Sequence, residues 1–463
     1  MQDAVQKIYV VPLYKLPRHL IGLLRNPIKE ICRMTERYGD IFALGNMNAL
    51  SRLPNKPVIF INHPDYVKYV LKDNLENYSR GQVFRDRKDL SMLEDFLGNG
   101  IFMSDGGDWE EQHRIVKVLF SNEAICKSHT IIQQELAGLI ANWKQQLPTN
   151  NVVDIETSIH FTMLKILFKT HMVNSNAYNF IEIFNTFQSI MKFSSFNTSV
   201  INFIKTNAIN AFGINYQSKK HEQYINKLNK LVDELITALI NNQYEKGALT
   251  TILLNKYANK EISYKDVRDT IMNFLFAGFE TTAAGITWTL YCMATNPAEQ
   301  EKVYEELKAA SLTTNNNWND TDLPNLKLAI KESMRLYPPV WFYMRQCLKE
   351  DFINGFVVRK NSLVMMCPFA LHKHKDYWDD PTHFNSMNFE KKNLQGKSFV
   401  YIPFGQGKRM CIGHAFAGVQ MHMILAQLLH QFRFAATSNK QPAINAAIII
   451  KGAKPVKLQL VLR

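Results

Sequence analysis

The sequence predicts a mainly α-helical protein with a few small β-sheets, folded as a single domain over residues 1–463. Three observations predict it. Apolar residues recur at three- and four-residue spacing through the middle of the chain, strand-like runs are few and flank that middle, and 46% of the 463 residues are hydrophobic, enough for a large core. Because strands lie on both sides of the helical stretch, the sheets must be assembled from distant segments, which favours one intertwined unit over separable modules.

Taken in order, residues 1–25 read as a leader strapped to the domain surface. Residues 8–24 are fairly apolar, but Lys15, Arg18 and His19 interrupt them, and Pro12 and Pro17 read as helix breakers. No transmembrane anchor of about 20 apolar residues and no signal-peptide core is expected, and membrane contact is at most peripheral. Strands are expected at 40–44, 58–61, 356–358 and 363–366, with a further pair near 448–450 and 456–461. Helical periodicity covers 66–71, 109–120, 129–143, 155–170, 221–239, 264–294, 297–310, 327–337 and 415–432. Asn296 before Pro297 reads as an N-cap with proline at the first helical position, and Pro324 announces another helix. The three asparagines at 315–317 read as a loop.

The formal net charge of +13 points to an acidic partner surface, a membrane face or nucleic acid, without choosing among them. Cys32, Cys126, Cys292, Cys347, Cys367 and Cys411 are widely spread and form no C-x-x-C pair, which argues for a reducing compartment and a cytoplasmic location.

Two segments carry chemistry. In the middle of the long helical stretch at 264–294 stand Ala277, Gly278, Phe279, Glu280, Thr281 and Thr282. A carboxylate and two hydroxyls beside a glycine are costly inside an apolar helix. They mark either a solvated face or capped break, or a deliberate distortion. In the second case Thr281 bonds back to a carbonyl, the helix groove opens, and Glu280 with Thr281 handles protons or water.

The second segment, Phe404 to Gly413, reads F-G-Q-G-K-R-M-C-I-G. Phe404, Gly407, Arg409, Cys411 and Gly413 fit F-x-x-G-x-R-x-C-x-G, a pattern that average residue usage produces in roughly one chain of this length in ten thousand. A dinucleotide loop is excluded, because Met410 stands where its third glycine belongs. A lone Cys411 would be an ordinary small buried residue. The surrounding glycines point instead to a thiolate held under a flat metal macrocycle. Gly407 supplies a positive-φ turn, Gly413 lets the next helix start close to a ring, and backbone N–H groups there stabilise the sulfur. Arg409 reaches an anionic propionate, and Phe404 shields the sulfur from water.

On these residues the chain resembles the cytochrome P-450 family of haem-thiolate monooxygenases, over nearly its whole length and with the motifs in the family's order. The likeness is to its soluble, bacterial-type members, with some motif similarity to the fatty-acid hydroxylase groups. The resemblance implies the family's triangular helical prism, with haem b between the long central helix and the cysteine-loop helix and Cys411 as axial ligand of the iron. Trp109 and His113 match W-x-x-x-(R or H), whose side chains hold a haem propionate, and Arg345 falls where the family places a further propionate-binding arginine. The run A-G-F-E-T-T at 277–282 matches the oxygen-activation motif, so Glu280 and Thr281 inherit the catalytic acid–alcohol pair. Fatty-acid hydroxylases that link haem covalently carry glutamate at the position of Ala277, so the haem here is expected to be non-covalent. Glu332 and Arg335 match the family's buried E-x-x-R ion pair. Asn388 departs from the pattern: it replaces the arginine that completes this network, and its amide can still bond Glu332 but brings no charge.

The implied reaction inserts one oxygen atom from O2 into a lipophilic substrate, by hydroxylation or epoxidation. Two electrons would come from a separate ferredoxin, flavodoxin or NAD(P)H-dependent reductase, since no fused reductase is expected, and the protein is expected to be a monomer. Val340, Trp341, Phe342 and the loop at 84–102 read as pocket walls, 174–215 as a lid, and Phe274, Phe276 and Phe279 as core or pocket lining. The charge then reads as a docking field near Cys411, carried by Lys391, Lys392, Lys397 and Lys408, and nucleic acid drops out. His372, His374 and His383 fit a surface segment better than a zinc site. Rival readings are a peroxygenase or isomerase, a tailoring oxidase that desaturates or couples, and a haem sensor or carrier. The acid–alcohol pair argues for oxygen plus two electrons.

Overall fold

The computed structural model describes residues 8–44, 58–86, 95–175, 180–193, 219–310, 323–390 and 398–463. Its main sheet places Tyr9–Val11, Ile41–Leu44, Val58–Ile61, Leu363–Met366, Tyr343–Cys347 and Tyr78–Ser79 side by side in that order. Val58–Ile61 runs parallel to Leu363–Met366, with Val58 opposite Leu363 and Ile61 opposite Met366. Parallel neighbours need a crossover connection, and here the crossover is the whole helical middle of the chain. A second sheet joins Phe432–Ala436, Lys457–Leu462 and Val152–Asp154, so the C-terminal strand pairs with the lead-in to the helix Ile155–Leu167. The sheets are therefore assembled from distant segments, as the order of elements implies.

The strand runs at 58–61, 356–358 and 363–366 are found with those bounds. Tyr343–Cys347 is not legible as a strand because buried Arg345 and Gln346 interrupt its apolar pattern. Near the C-terminus, Ile444–Ala446 pairs with Ile450–Gly452 as a hairpin that closes on the central helix through Trp288, whose Nε1 donates to Ile450 O (3.3 Å).

At the N-terminus the expected breaker is a starter. Pro17 sits in the first turn of Leu16–Arg25, where its missing N–H costs nothing. From Tyr9 onward the segment read as a leader contributes an edge strand and this helix. His19 is buried between Glu30 (2.7 Å) and the Tyr38 hydroxyl (2.8 Å) of the next helix, Pro27–Tyr38. Asn296 does stand before Pro297, but its amide donates back to Cys292 O (2.8 Å) instead of capping the new helix. No described helix is long and apolar enough to cross a membrane.

The stretch at 264–294 is two helices, Tyr264–Gly278 and Glu280–Thr295, broken at Phe279 (φ −116°, ψ −41°). Ser263 and Asp266 form a reciprocal capping box at its start. The ring of Phe279 is buried against Phe184 and Phe187 of the overlying helix Ile181–Phe193, at 6.4 and 5.1 Å. The second half packs on Ile155–Leu167 and on the cysteine-loop helix His414–Gln431.

Behind that loop lies the ion pair of the helix Pro324–Leu336. Arg335 grips Glu332 with Nε (2.8 Å) and Nη2 (2.7 Å), both side chains being fully buried. Arg335 Nη1 also donates to the carbonyls of His372 (2.9 Å) and Pro381 (2.8 Å), which ties the helix to the 372–383 segment. Asn388 donates to Glu332 Oε1 (3.0 Å), so its amide holds the place expected of it. Burial pushes the Glu332 carboxyl up, and Arg335, the Asn385 N–H and Asn388 pull it back. We predict that Arg335→Leu, which strands a buried charge, costs about 3–5 kcal/mol of stability. Asn388→Ala should cost about 1 kcal/mol. Thermal melts would show both, and an Arg335→Leu protein melting at the wild-type temperature would contradict the assignment.

Candidate active site

The Cys411 loop is a tight backbone scaffold. The Cys411 N–H donates to Phe404 O (2.9 Å), Gly405 N–H to Ile402 O (3.0 Å) and Met410 N–H to Gly407 O (3.0 Å), while the Tyr343 hydroxyl donates to Ile402 O (2.9 Å). Gly407 has φ +75°, and a Cβ there would lie 2.1 Å from Leu71 O, so both conformation and space demand glycine. Gly413 is the N-cap of His414–Gln431, and a Cβ on it would come within 3.3 Å of the Phe120 ring. The Cys411 side chain is exposed to solvent at one side. Protein atoms crowd it and push its thiol pKa up, while the Gly413 N–H and the Arg80 charge pull it back. Phe404 sits half-buried beside the His414 ring (6.3 Å), and His414 Nδ1 bonds Cys411 O (2.9 Å).

Around this sulfur the fold gathers cations. Arg409 comes from the loop, Arg345 from the strand Tyr343–Cys347, and Arg80 from the segment after Tyr78–Ser79. One carboxylate, Asp105, lies among them and accepts from Arg409 and from the Ser79 hydroxyl. Burial depresses all three guanidinium pKa values: Arg80 far below its usual range and Arg345 to about 10, both lowered further by neighbouring arginines, and Arg409 downward by burial against the pull of Asp105. Arg80 Nε, Arg345 Nε and Arg409 Nη1 are buried without a hydrogen-bond partner among the described residues. Trp109 and His113, one turn apart on Gly106–Lys117, stack at 4.7 Å, and the Arg409 guanidinium lies over the Trp109 ring at 4.4 Å. His113 is held below its usual pKa by burial, Lys117 and Arg409. Among the described residues, three arginines against one carboxylate leave about two positive charges to be met, which is what the two propionates of haem b carry. The donor set and the thiol therefore fit that group.

The opposite wall is the helix break. Thr281 Oγ1 donates to Ala277 O (2.8 Å), the back-bond expected of it, and Ala277 and Thr281 are accessible on a helix otherwise largely buried. Glu280 points elsewhere. It is fully buried and bonds Lys451 and Gln188, so the acid and the alcohol diverge from the same turn. Phe120 links the two walls, lying 6.1 Å from Phe274 of the central helix and 6.4 Å from Phe416 of the cysteine-loop helix. Phe276 packs with Phe96 (5.9 Å) and Phe102 (5.4 Å), and Phe102 lies under the Arg80 guanidinium at 4.5 Å.

Several expectations change. Trp341 is core and not pocket wall: it is fully buried, with Nε1 donating to Ala447 O (2.6 Å). His372, His374 and His383 have separate partners, the Ile402 N–H, Asp40 and Asp380. Lys408 is spent in an ion pair with Glu110 (2.6 Å). Lys391, Lys392 and Lys397, residues 87–94 of the expected pocket loop, and most of the expected lid lie outside the described residues. Arg80, Asp105 and Lys451 were missed. Each is a single charged residue in a short segment with no motif around it, and only the fold brings Arg80 and Asp105 to the Cys411 side and Lys451 to Glu280.

The comparisons agree with this geometry. Residues 15–460 match the family model described as Cytochrome P450, and the chain belongs to that family. It is 26% identical to the rat protein named Cytochrome P450 4F4, over 92% of this chain and 83% of the relative. It is 27% identical to rat Cytochrome P450 3A9 (92% and 86%), and 26% identical to a human ultra-long-chain fatty acid omega-hydroxylase (86% and 78%). All three are mammalian, and the expectation of a soluble, bacterial-type member rests on the residues alone. As a family member the protein is a haem b monooxygenase with a lipophilic substrate, O2 and a redox partner.

His171 gives a pH test of the aromatic wall. Its ring lies 5.4 Å from Phe416 and 5.8 Å from Phe274, neither nitrogen has a hydrogen-bond partner among the described residues, and burial pushes its pKa down to about 4. Between pH 4 and 6.5 the unfolded chain binds this proton and the folded chain does not, so stability rises with pH across that window and is lost on acidification. His171→Phe should remove up to roughly 3 kcal/mol of that acid loss. Denaturant unfolding at a series of pH values would show it, and an unchanged slope would contradict it.

Proposed function

We propose that the protein hydroxylates or epoxidises a lipophilic substrate with O2, taking two electrons and two protons per turnover and releasing the second oxygen atom as water. Haem held by Cys411 supplies the iron at which oxygen is activated. The residues around it have separable tasks. The Gly413 N–H and Phe404 would shelter the sulfur; Arg80, Arg345, Arg409, Trp109 and His113 would hold the propionates; Ala277 would leave the central helix open to a non-covalent haem. The observation that carries the reading is Thr281 at the helix break. Its hydroxyl hydrogen is committed to Ala277 O, which leaves the oxygen free to accept from a water in the opened groove and, on turning, to donate into the site. Glu280, one residue away, is the acid of the pair; its carboxylate faces Lys451 and Gln188, so protons would pass between it and Thr281 through water.

The phenylalanines at 96, 102 and 276 favour an apolar substrate, and the likeness to a named fatty acid omega-hydroxylase makes acyl chains the first class to test. A separate ferredoxin, flavodoxin or NAD(P)H-dependent reductase would deliver the electrons. A monomer in the cytoplasm is our reading of its state, and six unpaired cysteines support a reducing compartment. Peroxygenase, isomerase and desaturating or coupling oxidase are less well supported, because the acid–alcohol pair serves proton delivery. In Thr281→Ala we expect product per reductant to fall on the order of tenfold while hydrogen peroxide rises, with Thr281→Ser close to wild type. Measuring reductant, peroxide and product together decides it; full coupling in the alanine variant would contradict the role.

A further inference from the structure

The catalytic acid of the proposed pair is tied down from two sides. Glu280 is fully buried, and its Oε1 accepts from Lys451 Nζ (2.6 Å) and from Gln188 Nε2 (3.0 Å). Its Oε2 is buried without a hydrogen-bond partner among the described residues. Lys451 stands on Ile450–Gly452 of the C-terminal hairpin, and its ammonium also reaches Gln188 Oε1 (3.4 Å). Gln188 belongs to Ile181–Phe193, the helix whose Phe184 and Phe187 contact Phe279 at the break. One carboxylate thus joins three pieces of chain that are far apart in sequence.

A buried carboxylate needs a counter-charge, and Lys451 supplies it. The helix Ile155–Leu167 presents two further groups to the same ammonium, Glu156 and His160. Glu156 is occupied by the Val456 N–H (2.9 Å), and the His160 ring bonds the Glu156 carbonyl (2.7 Å), so the contact Lys451 makes is with Glu280. Lys451 keeps some access to solvent, whereas Glu280 has none.

We propose that Lys451 is the positioning residue for Glu280. It fixes the acid at the helix break, and through Gln188 it couples that acid to the seating of Ile181–Phe193, so that the acid is in place only when this helix is. The inference rests on the acid–alcohol reading above and deepens it.

The test uses the haem-loaded protein and the variants Lys451→Met, Lys451→Arg, Gln188→Leu and Glu280→Gln, with two readouts. The first is hydrogen–deuterium exchange. Lys451→Met should raise amide exchange in both 181–193 and 450–452 by roughly tenfold. Gln188→Leu should raise it in 181–193 alone, and Lys451→Arg should restore the wild-type pattern. The second is product formed per electron pair, which should fall several-fold in Lys451→Met and recover in Lys451→Arg. Unchanged exchange in Lys451→Met, or full coupling there while Glu280→Gln is uncoupled, overturns the positioning role and leaves the acid reading standing. Full coupling in Glu280→Gln overturns the acid reading, and the proposal with it. Should Lys451→Met fail to load haem, Gln188→Leu decides alone, and wild-type exchange in 181–193 counts against the proposal.

Discussion

Among the described residues, Arg80, Arg345 and Arg409 have one carboxylate between them beside Cys411, and the protein is arranged to tolerate this. Arg80, Arg345 and Arg409 repel one another in a poorly hydrated place, and Asp105 answers only part of their charge. Such a cluster is held by its frame. Arg345 is fixed by the strand next to the edge of the main sheet, Arg409 by the loop that Gly407 permits and by the Trp109 ring beneath it, and Arg80 by its bond to Ile101 O (3.0 Å) and the face of Phe102. The unsatisfied positive charge is of the sign that a dianionic macrocycle would meet.

The far wall solves the opposite problem, bringing a buried negative charge next to an alcohol without wrecking the helix. Breaking the helix at Phe279 lets Thr281 turn to a carbonyl in the cleft while Glu280 turns into the protein toward Lys451. The two walls are separated by an aromatic seam in which Phe120 touches both. Charge is paired locally at Glu280 and left open at the arginines. That asymmetry suits a cleft which holds an anionic cofactor on one side and manages protons on the other.

Much of this was legible in the residues, for identifiable reasons. The cysteine loop and the A-G-F-E-T-T run declare themselves because backbone geometry leaves few choices: a positive-φ glycine, a glycine against a ring, a hydroxyl that must bond back. The helical middle followed from period alone. What could not be read were contacts made by lone residues in short segments. Nothing near Arg80 or Asp105 marks their place at the site, Lys451 follows three isoleucines and its strand's partner is set by topology, and Tyr343–Cys347 conceals its strand behind two polar residues, Arg345 at the site and Gln346 on the other face. Pro17 misled because proline stops a helix from within yet starts one from its first turn.

The central claim is that the Cys411 sulfur is the axial ligand of a haem held by this arginine cluster. The reduced carbon-monoxide difference spectrum of the haem-loaded protein tests it most directly. The result expected is the red-shifted Soret band of a thiolate ligand, lost in Cys411→Ser. A band typical of a nitrogen ligand, or a thiolate band that survives Cys411→Ser, would contradict it.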